Sequence, residues 1–66
     1  MESLRHLTIE ELYELTDAIL VKDYAEIKKE LGDVMMHLLF YAKIATEEDH
    51  FTLVDVLNAV CDKLIS

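Results

Sequence analysis

Glu10-Glu11-Leu12-Tyr13-Glu14 and Glu30-Leu31-Gly32-Asp33 carry two pairs of carboxylates, Glu11 with Glu14 and Glu30 with Asp33. Each pair has the i, i+3 spacing that sets two side chains on one face of a helix. If the two segments fold back on each other as an antiparallel hairpin with its midpoint at Lys22, Glu11 comes level with Asp33 and Glu14 with Glu30. Lys22 is also where the apolar pattern breaks. Four acids brought to one spot repel one another unless something positive lies between them. The simplest candidate is a hard divalent cation with oxygen ligands, Mg²⁺ or else Mn²⁺.

The flanking pattern supplies the helices. Ile9, Leu12, Leu15, Ile19 and Leu20 form an apolar stripe that predicts a first helix over residues 9–21. Thr8 with Glu11 reads as a capping box at its start, and Ser3 is a rival start one turn earlier. Asp23 with Glu26 opens a second helix over residues 24–46, with Ile27, Leu31, Val34, Leu38, Ala42 and Ala45 on its stripe. Met35, Met36, Leu39, Phe40, Tyr41 and Ile44 make the second half of that helix apolar all round, which predicts burial on more than one side. Glu47-Glu48-Asp49-His50 reads as a loop. Thr52 with Asp55 starts a third helix whose stripe is Leu53, Val56, Leu57, Val60, Cys61 and Leu64. The expected fold is all-α, an antiparallel hairpin plus a third helix. A second copy is expected to cover the second helix in a four-helix-bundle-type core, as a homodimer or homotetramer.

Composition narrows the function. Sixty-six residues make one small domain, and the single cysteine rules out an internal disulfide as its staple. A metal and a partner subunit remain. The net charge of −8, from 14 acids against 6 bases, argues against nucleic-acid binding through a basic surface. No apolar run is long enough for a membrane span and no signal peptide is visible, so a cytoplasmic setting is expected. Gly32, inside the second helix, marks either a close contact with the first helix or a close approach by a ligand. Cys61 reads as a packed core thiol, Met35 and Met36 as interface fillers, and His6 and His50 as surface residues. The Glu-x-x-His pattern of di-iron bundles is not met at His37.

The run from Glu10 to Ile19, followed by Glu30-Leu31-Gly32-Asp33-Val34, resembles the MazG nucleoside triphosphate pyrophosphohydrolases, whose signature is E-E-x-Y-E…E-L-G-D. The resemblance extends back to Ser3-Leu4-Arg5 and on through Phe40-Tyr41-Ala42-Lys43-Ile44-Ala45 to Asp62-Lys63-Leu64-Ile65. It implies a helical enzyme that cuts a nucleoside triphosphate between its α and β phosphates, releasing the monophosphate and pyrophosphate. It implies that Glu11, Glu14, Glu30 and Asp33 bind Mg²⁺ and carry the catalysis. It sets Glu10 at or beside the metal and substrate, and Lys63 near the phosphates. Two positions depart from the family pattern, which usually has His at Tyr41 and an uncharged amide at His37. A Trp-Asp element upstream and an Arg-Arg-His-Pro run downstream are missing, so residues 1–66 read as a partial domain.

The individual residues also admit plainer readings. Any one acid can sit on a solvated helix face, and Lys63 can be an exposed helix-end lysine. The competing class is a non-catalytic acidic helical oligomerisation module, or a metal-binding regulatory relative without turnover.

Overall fold

The computed structural model describes residues 1–65. A short 3₁₀ turn, Glu2–Leu4, leads into α1 (Arg5–Leu20), followed by α2 (Tyr24–Glu47) and α3 (Leu53–Ile65). Among the described residues there is no strand. The all-α hairpin with a third helix is therefore observed.

Local signals explain where the helices begin. The Asp23 carboxylate accepts a hydrogen bond from the Glu26 backbone N–H and caps α2. At α3 the box is reciprocal: the Asp55 backbone N–H donates to the Thr52 hydroxyl, and the Thr52 N–H donates to the Asp55 carboxylate. Thr8 does not start α1. It lies one turn inside a helix that begins at Arg5, and its hydroxyl donates to the Leu4 carbonyl instead of capping Glu11. The earlier start at Ser3 is nearer the observed entry, because the 3₁₀ turn feeds directly into α1.

Both helix ends that lead into connections close by the same device. After α1, the Lys22 N–H donates to Ile19 O and the Asp23 N–H to Ala18 O. After α2, the Asp49 N–H donates to Thr46 O and the His50 N–H to Ala45 O. These are Schellman closures, which need a left-handed residue in the turn. Lys22 and Asp49 both adopt φ 59°. Lys22 is thus the pivot of the hairpin, at the midpoint the carboxylate register demands.

The seam between α1 and α2 is not the predicted apolar stripe. The residues covered along α1 are Leu4, Thr8, Glu11, Leu15 and Ala18, at alternating spacings of four and three. On α2 the corresponding run is Ile27, Glu30, Val34, His37, Tyr41 and Ala45. This is heptad-like packing in which several central positions are polar. Of the expected α1 stripe only Leu15 is partly covered, while Ile9, Leu12, Ile19 and Leu20 are exposed. The reason is geometric. The hairpin closes along the line between the acidic and apolar stripes, so the apolar stripe faces outward.

As a result the chain buries very little of its own apolar surface. Only Ala18, Ala42 and Ala45 are buried hydrophobics, and no large described side chain is fully enclosed. Cys61, expected in a core, is exposed. The radius of gyration is 14.0 Å, against about 11 Å for a compact chain of this length. The extents of 39 × 33 × 15 Å describe a slab, little thicker than the ~10–12 Å diameter of one helix with its side chains.

The strained pivot gives a stability prediction. A left-handed non-glycine residue costs about 1–2 kcal/mol, and glycine loses about 0.5–1 kcal/mol in extra unfolded-state entropy. Lys22→Gly should therefore stabilise the protein by about 0.5–1 kcal/mol, read as a higher denaturant midpoint at unchanged m-value. A lower midpoint would show that Lys22 makes a compensating interaction.

Candidate metal centre

The α1–α2 hairpin places Glu11 and Glu14 opposite Glu30. One carboxylate oxygen from each of the three lies within 4.8 Å of the other two. Asp33 is partly covered and lies outside this tight group, though its charge acts on both Glu14 and Glu30. Glu10 is exposed on the neighbouring face of α1, and its charge acts on Glu14. Lys63 sits in the last turn of α3. Three of the four predicted metal ligands thus converge directly and the fourth flanks them.

The electrostatics of the group are unfavourable as it stands. Glu30 is buried, with 6% of its surface exposed. Glu11 Oε2 and Glu30 Oε2 are buried without a hydrogen-bond partner. An ionised carboxylate only accepts, so two such groups in contact share a hydrogen bond only when one carries a proton. Glu14 accordingly titrates above the ordinary carboxylate value of 4.5, first through its contact with the Glu30 carboxyl and then through like-charge repulsion. Glu30 is also raised, chiefly by burial, then by its contact with Glu11, while its contact with Glu14 acts in the opposite direction.

A hard cation resolves each of these features. It gives the orphaned oxygens a partner and replaces repulsion by attraction. Two oxygens held by one Mg²⁺ at ~2.1 Å lie at most ~4.2 Å apart, so the observed 4.8 Å bound asks for only a small closure. The donor set is all oxygen, which suits Mg²⁺ or Mn²⁺. Glu14 is exposed and leaves one side of the group open to a ligand from solvent. A cavity of about 320 Å³ adjoins it, lined by Glu14, Asp17, Ala18, Val21, Asp23, Glu26 and Glu30.

Gly32 lies between Glu30 and Asp33, and a Cβ built there meets nothing within 4 Å. Of the two readings of this glycine, the close contact with α1 is therefore not made, and the space above it is open. The network sequence reasoning missed is Thr8, His37 and Tyr41, one turn along the seam from Glu11 and Asp33. Thr8 Oγ1 is 2.8 Å from His37 Nδ1 and hydrogen-bonds the Tyr41 hydroxyl. The available signal was spacing, since Thr8 precedes Glu11 by three and His37 follows Asp33 by four.

Comparison with known proteins identifies the family. The family model for the MazG nucleotide pyrophosphohydrolase domain matches residues 1–66. The nucleoside triphosphate pyrophosphohydrolase/pyrophosphatase MazG of Thermotoga maritima is 47% identical over 64 residues, covering 97% of this chain and 25% of that protein. The nucleoside triphosphate pyrophosphohydrolase of Escherichia coli K12 is 44% identical over 57 residues, covering 86% of the chain and 22% of the relative. That of Mycolicibacterium smegmatis is 43% identical over 65 residues, covering 96% and 20%. The chain thus spans a quarter or less of the length of these curated relatives.

The raised carboxylates fix the sign of a pH effect. Above pH 4.5 the folded protein holds protons on Glu14 and Glu30 that the unfolded chain has released. Their contribution to stability is present below 4.5 and is lost as pH rises through the raised range. Without divalent ions, this contribution should lower the melting temperature as pH rises, and Glu30→Gln should flatten that trend. An unchanged slope in the variant would show that Glu30 does not carry the effect.

Proposed function

The chain belongs to the MazG nucleotide pyrophosphohydrolase family, and from that membership we propose that it forms the Mg²⁺ site of an enzyme that hydrolyses nucleoside triphosphates between the α and β phosphates. The products are the nucleoside monophosphate and pyrophosphate. The observation that carries this reading is the convergence of Glu11, Glu14 and Glu30 with two buried carboxylate oxygens left unpartnered.

A triphosphate carries about four negative charges near neutral pH and cannot approach bare carboxylates. When bound, Mg²⁺ or Mn²⁺ supplies the positive charge that phosphate oxygens need and acidifies a coordinated water. The chain's own part is to hold and orient. Glu30 and Glu11 would hold the ion from the covered seam, Asp33 would complete the acidic set from the next turn of α2, and Glu14 would border the side open to substrate. Glu10 lies beside Glu14 at the rim. Lys63 is assigned to the phosphates on the family pattern.

We assign the exposed apolar face to a second copy, as a homodimer or homotetramer. A single layer whose buried hydrophobics are all alanine lacks the large packed side chains a small domain needs. Among the described residues no helix is long and apolar enough to cross a membrane. The exposed single cysteine fits a reducing, cytoplasmic setting.

Two measurements test the site in the complete protein. Glu30→Gln and Asp33→Asn should each abolish Mg²⁺-dependent release of pyrophosphate, and full activity in both variants would overturn the assignment. Mg²⁺ at a hundredfold excess over its Kd should stabilise the wild type by about 2.7 kcal/mol, seen as a higher melting temperature that Glu30→Gln does not share. For assembly, Leu38→Asp on the exposed apolar face should shift the sedimenting species toward the monomer.

A further inference from the structure

We propose that Thr8 and Tyr41 hold His37 with a hydrogen on Nδ1, one turn along the seam from the acidic group, so that in the neutral imidazole Nε2 is the nitrogen left to accept from an O–H donor. The argument is a count of hydrogens. Thr8 Oγ1 lies 3.1 Å from the Leu4 carbonyl oxygen and 2.8 Å from His37 Nδ1, and it also contacts the Tyr41 hydroxyl. A hydroxyl has one hydrogen and two acceptor lone pairs. The carbonyl cannot donate. All three contacts are therefore hydrogen bonds in one arrangement only: Thr8 donates to Leu4 O, while the Tyr41 O–H and the His37 Nδ1–H both donate to Thr8. In a neutral imidazole the other ring nitrogen is then the acceptor.

The placement gives that lone pair a use. His37 follows Asp33 by one turn on α2, and Thr8 precedes Glu11 by one turn on α1. Side chains so spaced are neighbours, with Cβ atoms about 5–6 Å apart. His37 is not in the group whose ligand atoms converge, so the role proposed for it is toward a group bound beside the acids and not as a ligand. Two O–H donors belong there: the attacking water and a sugar hydroxyl of the nucleotide. This half of the inference rests on the proposed pyrophosphohydrolase reading, whereas the tautomer does not. Thr8 and Tyr41 act as positioning residues through His37.

The test has two readouts on the complete protein. Long-range ¹⁵N–¹H spectra of histidine-labelled protein, at a pH where the imidazole is neutral, should show His37 protonated on Nδ1 and bare on Nε2. His37→Asn identifies its signals, and Thr8→Val or Tyr41→Phe should shift the balance toward the Nε2–H form. An Nε2–H tautomer in the wild type overturns the proposal. In pyrophosphate-release kinetics, His37→Asn keeps an amide near Nδ1 but has nothing at Nε2, while His37→Gln restores a polar atom there. The Asn variant should lose about tenfold or more in kcat/KM, with partial recovery in the Gln variant. A loss in kcat alone identifies the water as the donor, and a rise in KM alone identifies the sugar hydroxyl. Wild-type kinetics in His37→Asn would overturn the acceptor role. Absence of any turnover by the wild type would refute the pyrophosphohydrolase reading and leave the tautomer to the spectra.

Discussion

Carboxylates occupy seam positions where a hairpin built only for packing would carry aliphatic side chains. Glu11 and Glu30 are enclosed between α1 and α2, each with an oxygen that has no donor. Everything else in the structure is arranged around that constraint. The pivot at Lys22 folds α2 back so that Glu30 meets Glu11 and Glu14. Asp23 starts α2 in the right phase for Glu30 to point inward. The like-charge cost of this arrangement is what a cation held in the seam, as proposed, would offset.

Much of this was legible in the sequence because it depends on local rules. Asp23 and the Thr52–Asp55 box cap helices through side chain to backbone bonds that span three residues, which any sequence window contains. The approach of Glu30 to Glu11 and Glu14 follows from the index arithmetic once the turn is placed, whereas Asp33, expected level with Glu11, stands outside the converging group. Other features were not legible because they depend on how two surfaces meet. The stripe of Ile9, Leu12, Ile19 and Leu20 was read correctly as apolar, but hydrophobicity does not say which edge of a stripe becomes the seam. Thr8 was read as a cap because its neighbours fit a capping box. Its actual partners, His37 and Tyr41, lie far along the chain and only the fold brings them together. Cys61 reads as a core thiol by its place on the α3 stripe, yet the single chain leaves it exposed.

The slab separates two kinds of surface. On α2, Glu26, Glu30 and Asp33 follow one another along one stripe, while Met35, Leu38 and Ala42 run along another, turned by about 150° at 3.6 residues per turn. The second stripe and α3 enclose an apolar groove of about 510 Å³, with Phe51, Leu53, Val56 and Leu57 along its other wall. The carboxylate group and this groove therefore lie on different flanks of α2. The helix that carries Glu30 also carries the apolar stripe of the groove, and the two stripes do not overlap.

The identity of the buried hydrophobics has a further consequence. All of them are alanine, and Ala18, in the hairpin seam, is the one that lines the cavity next to Glu14 and Glu30. A methyl group there acts as a spacer. It sets how near two backbones can come, and so how far apart oxygens on opposite helices end up. The bite of the acidic site is thus gauged by a side chain that has no chemistry of its own, and its natural mode of failure is enlargement and not loss.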